Sequence, residues 1–123
     1  MSCLAIVLVL LLAGAPAQDA GEPGTVTCKN DPQVVGECFP VHGRLSFWNG
    51  TPSLRLWNIR TNRILGVRTE TAPENVMSLW GPDRFEKDIF GDFEVCPFTK
   101  EKPGHMQMVC IESASHLTAK ARK

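Results

Sequence analysis

Residues 41–67 read V-H-G-R-L-S-F-W-N-G-T-P-S-L-R-L-W-N-I-R-T-N-R-I-L-G-V, the longest run in which apolar residues alternate with polar ones. Alternation with a period of two is typical of a strand that buries one face. In the first strand Val41, Leu45 and Phe47 share the face that we predict to point into the core. Turn residues divide the run into three strands, so the stretch predicts a β-sheet at the centre of the fold.

The connection between the first two strands decides their register. An Asn-Gly pair alone favours a two-residue hairpin turn, but that register sets Arg44 opposite Arg55 and places Pro52 inside the ladder. Both arrangements are unfavourable. A four-residue loop over 49–52 avoids them. It pairs Phe47 with Leu54, Leu45 with Leu56, and Arg44 with Trp57, where a cation–π contact can form.

Shorter patterns follow the central stretch. Residues 63–68 predict a third strand, and the sequence T-A-P-E from Thr71 is a capping-box pattern that starts a helix of about two turns. Residues 83–89 are predicted to be irregular. Two further strands flank a Lys-Glu-Lys-Pro-Gly turn, and a hairpin centred there sets Cys96 opposite Cys110.

The ends of the chain differ from the part between them. Residues 1–17 carry an apolar run too short to span a membrane and end in the A-x-A pattern of signal-peptide cleavage, although no Lys or Arg precedes the run. Residues 18–27 are predicted to be a flexible leader, and 118–123 a basic tail that frays. We therefore expect one domain over 28–117, in a secreted or periplasmic protein.

Four cysteines remain once the signal peptide and Cys3 are removed: Cys28, Cys38, Cys96 and Cys110. An even number in a small exported domain predicts two disulfides, and the spacings of a zinc site are absent from the sequence. Four cysteines allow three connectivities. We favour the pair 28–38, which closes a short loop, together with the pair 96–110, whose members are predicted to face each other.

Charge and motif content argue against several classes of function. The chain has 13 basic and 13 acidic side chains, so no net positive charge attracts nucleic acid or an anionic membrane. The sequence has no G-x-S-x-G motif, and oxidised cysteines cannot serve as nucleophiles. We therefore expect no nucleic acid partner, no membrane span and no enzymatic activity.

The sequence H-M-Q-M contains the most suggestive metal ligands, His105, Met106 and Met108. Imidazole with thioether sulfur suits copper in an exported protein, and both methionines share one face of a predicted strand. Alternatively, the methionines fill gaps in the core. Copper is the one cofactor that the sequence suggests, and His42 and His116 complete the site only if the fold brings them close.

The second face of the central strands is a candidate partner-binding surface, formed by Arg44, Trp48, Arg55, Trp57 and Ile59. Trp and Arg are enriched where proteins bind partners, and a large exposed apolar patch needs an explanation. The alternative is that the helix covers this face, because an amphipathic helix packs on an apolar surface. Neither the ligand or partner nor the oligomeric state can be identified from these residues.

The order of these motifs resembles that of transthyretin-like and carboxypeptidase-regulatory-like domains. In those families a G-x-V/L strand is followed by a Gly-x-Pro arch, a second alternating strand and a later D-G-x-F-x-V strand. Here the last motif has the order Gly91-Asp92, and a helix is inserted before it. The matching residues are Gly43, Arg44, Leu45, Gly50, Pro52, Leu54, Leu56, Gly91, Phe93 and Val95.

The resemblance implies an all-β fold, an Ig-like or transthyretin-like antiparallel β-sandwich with one short inserted helix. It also implies that the first two strands arch between opposite sheets, in contrast to the hairpin predicted above. The chain is similar, too, to small exported bacterial proteins, a likeness that implies no activity. We expect a disulfide-braced sandwich of about seven strands that acts as a non-enzymatic binding or structural module.

Overall fold

The computed structural model describes residues 28–122, so the predictions for the signal peptide at 1–17 and the leader at 18–27 lie outside the described residues. The strands are β1 (Phe39–Phe47), β2 (Leu54–Asn58), β3 (Ile64–Val67), β4 (Lys87–Pro97) and β5 (Met108–Ala121). A short helix, α1 (Glu74–Met77), and two 3-10 turns, Cys28–Asn30 and Thr69–Thr71, complete the elements. Within 28–122 no helix is long and apolar enough to cross a membrane.

The five strands form one closed barrel in the order β1-β2-β3-β5-β4, and β4 is hydrogen-bonded back to β1. Neighbouring strands are antiparallel except for β3 and β5, which run parallel. The all-β class is confirmed. The described strands differ from the expected sandwich, because a sandwich has two facing sheets and here a single sheet closes on itself.

The predicted hairpin between β1 and β2 is confirmed. The Trp48 N–H donates a hydrogen bond of 2.7 Å to the Ser53 carbonyl across the loop. Because β1 and β2 are hydrogen-bonded neighbours, the arch implied by the transthyretin-like resemblance is not formed. The register pairs Phe47 with Leu54, Leu45 with Leu56, and Arg44 with Trp57, as predicted.

Two buried glycines face each other on the neighbouring strands β1 and β4. Gly43 in β1 pairs with Gly91 in β4. A Cβ atom at Gly43 would lie 2.5 Å from the Leu56 Cδ1 atom, and one at Gly91 would lie 2.9 Å from the Ser115 carbonyl oxygen. A β-bulge between β4 and β5 lies beside Gly91. Bare glycines and a bulge let a sheet coil tightly, which explains closure into a barrel.

The segment between β3 and β4 closes one end of the barrel. The predicted helix is present but spans only four residues, and Pro73 takes the N-cap position without a side-chain cap. The Thr71 hydroxyl instead donates to the Arg68 carbonyl, so the predicted capping box is wrong. Val76 and Trp80 are fully buried in the core, and the Trp80 ring meets the Phe47 ring edge-on at 4.7 Å.

The opposite part of the molecule carries two disulfides, Cys28–Cys110 and Cys38–Cys96. The predicted pairs 28–38 and 96–110 are therefore wrong, although Cys96 does face Cys110 across β4 and β5. The pairing is decided by residues 28–38, here called the strap, which lie across the β4–β5 hairpin. The Val35 N–H of the strap donates a hydrogen bond of 2.8 Å to the Pro97 carbonyl of β4. Each buried strand cysteine thus meets a cysteine of the strap.

Two further boundaries differ from the predictions. Strand β4 begins at Lys87, within the segment expected to be irregular. Strand β5 continues to Ala121, so residues 118–121, predicted to belong to a frayed tail, are paired with β4. The Arg122 N–H donates to the Glu86 carbonyl at 2.7 Å, which holds the end of the described chain against the barrel.

Candidate binding cleft

A cleft of about 200 Å³ lies on the outer face of β1, β2 and β3. The alternation that buries the core residues of these strands sends the residues between them outward. Cross-strand pairing then sets Ser46 beside Arg55, and Trp57 beside both Arg44 and Ile64. The cleft is lined by Arg44, Ser46, Trp48, Arg55, Trp57 and Ile64.

Four of the five predicted surface residues line this cleft, and Ile59 does not. Ile59 lies just beyond the end of β2, where its N–H donates to the His42 carbonyl at 3.1 Å. Ser46 was missed because a small polar residue on an outward face is an ordinary feature of a strand. Ile64 was missed because its position beside Trp57 follows only from the pairing of β2 with β3.

Guanidinium groups stack on both tryptophans. The Arg44 Cζ atom lies 4.8 Å from the Trp57 ring centre, as predicted, and the Arg122 Cζ atom lies 5.0 Å from the Trp48 ring centre. The Trp57 indole N–H donates to the Thr61 carbonyl at 2.8 Å, which orients that ring. Trp48 has no such anchor among the described residues and is 43% exposed.

Asp88 is the carboxylate that balances these arginines. It is buried, and its Oδ1 atom accepts a hydrogen bond of 3.0 Å from Arg122 Nε and lies 2.9 Å from Arg122 Nη2. The Arg44 Nε atom is 4.0 Å from the other carboxylate oxygen. Within 28–122, Arg55 has no carboxylate partner, and its Nε donates to the Pro52 carbonyl at 3.0 Å. Two arginines therefore contact the Asp88 carboxylate, whereas Arg55 does not.

Two polar groups in the cleft are buried without a hydrogen-bond partner among the described residues: the Ser46 hydroxyl and the Arg44 Nε–H. Ser46 as a whole is only 2% exposed. Buried polar groups are nearly always hydrogen-bonded, because leaving one unpaired costs about 1 to 3 kcal/mol. Unpaired groups at the base of an open cleft indicate a place where another molecule can supply the missing partner.

Helix α1 leaves the cleft uncovered. Its buried residue, Val76, joins the core cluster inside the barrel, as does Trp80 from the turn that follows. The alternative in which the helix packs on the tryptophan face is therefore wrong. Met77 and Leu79 also pack against this core, and no helix residue lines the cleft.

The predicted copper ligands lie elsewhere, around the β4–β5 loop. His105 and Met106 line a depression of about 760 Å³ formed largely by exposed loop residues. The sulfur atoms of Met106 and Met108 both lie next to Gly66, close to where a Cβ atom would sit. His42 and His116 do not join this cluster, because both contact Asp92 on another part of the barrel.

Asp92 lies between two histidines. Its carboxylate oxygens are 2.8 Å from His42 Nδ1 and 3.0 Å from His116 Nδ1. The bulge in β5 directs His116 here, and this residue has a φ of +53°. The hydrogen bond with His42 lowers the pKa of Asp92 below its ordinary value, with a smaller contribution from the charge of His116. In this cluster both histidine Nδ1 atoms contact the Asp92 carboxylate, in contrast to the unpaired groups of the cleft.

Three sulfur atoms, those of Cys28, Cys96 and Cys110, lie within 4.8 Å of one another. All three belong to disulfides, so none is a thiolate that could ligate a metal.

Comparison of the chain with protein-family models, curated proteins and solved structures gives no match. The function is therefore inferred from the geometry of the barrel surface.

Proposed function

We propose that this chain is a small exported binding module, without catalytic activity of its own, that holds a partner at the cleft. The observation that carries the proposal is the open surface around Trp48, which is 43% exposed beside stacked arginines and uncovered by the helix. Trp and Arg dominate binding energy at protein interfaces because they desolvate large areas and hydrogen-bond at their edges. The two disulfides agree with an oxidising compartment, secreted or periplasmic.

The barrel topology supports the same surface by analogy alone. Five-stranded barrels of the OB type bind ligands on the outer face around their second and third strands and at the neighbouring loops. The cleft of this chain lies on β1, β2 and β3, in the corresponding region. Analogy of fold does not identify the ligand. The likeness to transthyretin-like domains stays a prediction, and the proposal does not depend on it.

Capture from the exported fraction tests this proposal with a matched pair of variants. Trp48→Ala removes the exposed ring of the cleft, whereas Phe85→Ala removes an aromatic ring that is 49% exposed and does not line it. We expect the immobilised wild type and Phe85→Ala to retain the same partner, and Trp48→Ala to lose it while its circular dichroism is unchanged. Equal retention by both variants contradicts the proposal.

A second candidate function is copper binding through His105, Met106 and Met108. It is favoured by one observation, the approach of both thioether sulfurs to the bare backbone of Gly66. Thioethers with imidazole suit Cu(I). Competition with a chromogenic Cu(I) chelator tests it, with Met106→Leu as the variant and Met77→Leu, in helix α1, as the control. No competition by the wild type at micromolar metal removes this candidate.

A further inference from the structure

We propose that the cleft between Arg44, Ser46 and Arg55 binds the side-chain carboxylate of an acidic segment in a protein partner. This inference rests on the proposed function and identifies the chemistry that the binding module recognises. It concerns the part of the cleft beside Trp48 where groups able to donate hydrogen bonds are concentrated.

The free groups in the cleft are donors. The Arg44 Nε–H can only donate, and so can the Arg55 guanidinium nitrogens that are not bonded to Pro52. The Ser46 hydroxyl, unpaired and buried, can donate to the same acceptor. A set of donors that carries positive charge requires an acceptor with negative charge. The ligand group is therefore an anion.

The same surface already binds one carboxylate. Asp88 accepts from the edge of Arg122, while the face of that guanidinium stacks on Trp48. A guanidinium that stacks by its face keeps its N–H edge free for planar, two-point recognition of a carboxylate. Arg55 has an edge with no carboxylate against it in the part of the chain that the structure describes. It is thus equipped to bind a second carboxylate, supplied by a partner.

The charge of Asp88 reduces the positive charge that a ligand has to balance. Its carboxylate lies 4.0 Å from Arg44 Nε and neutralises part of the charge of that arginine. Arg55 then remains as the cation without a carboxylate partner among residues 28–122, and one guanidinium matches one singly charged carboxylate. A phosphate carries up to two charges at neutral pH, so it serves as the competing anion in the test.

A peptide fits this surface better than a polysaccharide. Sugar rings stack on bare aromatic faces, but here Arg44 and Arg122 each occupy one face of a tryptophan. The strands that carry the cleft, β1, β2 and β3, are each paired on both sides, so a peptide that binds there uses its side chains and does not add a strand. An acidic residue followed by an apolar one matches the arginine pair and the exposed edge of Trp48.

Titration with a short oligoglutamate peptide, followed by tryptophan fluorescence, tests the inference. The mature protein is also titrated with oligogalacturonate, which carries its carboxylates on sugar rings, and with inorganic phosphate. We expect oligoglutamate to bind more tightly than either. Equal or tighter binding of oligogalacturonate or phosphate overturns the assignment to an acidic peptide, and no binding of any probe overturns the anion site.

Variants distinguish the cleft from a general attraction between charges. Arg55→Ala should weaken oligoglutamate binding about tenfold or more, because a charge-assisted hydrogen bond is lost. Arg84→Ala removes the same charge from an exposed residue outside the cleft and should leave binding nearly unchanged. Equal weakening by the two variants shows attraction without a site and contradicts the inference.

Ser46→Ala should weaken ligand binding without lowering stability, a result that a purely structural role of the hydroxyl would not produce. The variant loses a buried hydroxyl that has no hydrogen-bond partner among residues 28–122, so its denaturation midpoint should be unchanged or raised. Its affinity for oligoglutamate should still fall several-fold. A lower midpoint with unchanged affinity overturns the role of Ser46.

If oligoglutamate fails to bind but partner capture still depends on Trp48, only this inference fails and the proposed function stands.

Discussion

The disulfide end of the barrel and the cleft on its outer face differ in how completely their polar and reactive groups are satisfied. At the disulfide end, the strap lies over β4 and β5, both buried cysteines are bonded, and Phe98 packs beside them. In the cleft, the Ser46 hydroxyl and the Arg44 Nε–H have no hydrogen-bond partner among residues 28–122. The disulfide end therefore has the packing of a protein core, whereas the cleft has the unpaired groups expected of a binding surface without its partner.

The difference separates stability from recognition. A buried group that is satisfied contributes to folding, whereas one left unpaired costs free energy that binding can recover. We therefore expect changes at the disulfide end to alter stability with little effect on binding by the folded protein. Changes in the cleft should alter binding and have little effect on stability.

Loss of the Cys28–Cys110 disulfide should have the largest effect. The bond joins residues 82 apart in sequence, and removal of such a link by Cys28→Ser with Cys110→Ser should cost about 4 kcal/mol of unfolding free energy. Urea denaturation of the double variant measures this cost. Oligoglutamate binding, measured under conditions where the variant is folded, should be retained. A loss below about 1 kcal/mol contradicts the bracing role.

Gly43→Ala should lower the unfolding free energy by about 2 to 3 kcal/mol. The new methyl group would lie 3.0 Å from the Trp57 carbonyl oxygen as well as against Leu56, and the backbone oxygen cannot move without disturbing β2. Gly36→Ala is the matched control, because its Cβ would meet only Pro97 Cγ, at an ordinary 3.4 Å. Thermal denaturation of both variants checks the prediction, and equal midpoints would show that Gly43 does not limit barrel closure.

Asp88→Asn should change both the stability of the protein and its affinity for the ligand. Removal of its charge leaves Arg44 and Arg122 without an ion-pair partner in the part of the chain that the structure describes, and should cost about 2 kcal/mol of stability. The same change frees positive charge, so oligoglutamate should bind several-fold more tightly. Denaturation and titration of the same preparation measure both effects. Weaker binding in a folded variant would mean that Asp88 positions the arginines and does not compete with the ligand.

Asp92 should give the smallest effect, visible as a dependence of stability on pH. Its pKa in the folded protein is below the ordinary value of 3.8, so it contributes stability above that pH and loses the contribution as the pH falls through its folded pKa. Asp92→Asn should therefore reduce the acid dependence of the melting temperature below about pH 4. Identical acid profiles for the variant and the wild type contradict a stabilising contact with His42.

The sequence predicted those parts of the site that depend on local pattern. Arg44, Trp48, Arg55 and Trp57 were found because strand alternation sends them outward and the four-residue loop sets their register. Arg122 and Asp88 could not be found in this way. They lie far from the central stretch in sequence, and only closure of the barrel brings β4 and the end of β5 beside β1.

Local alternation and turn chemistry therefore determined the strands, the register of the first hairpin and the residues offered on its outer face. Tertiary structure decided the disulfide partners, the closure of the sheet and the position of the helix. Disulfide partners depend on which segment lies over another, and the strap reaches Cys96 and Cys110 only in the folded chain. Residues 41–67 thus specify a hairpin by themselves, but they acquire a charged cleft only when the barrel closes around them.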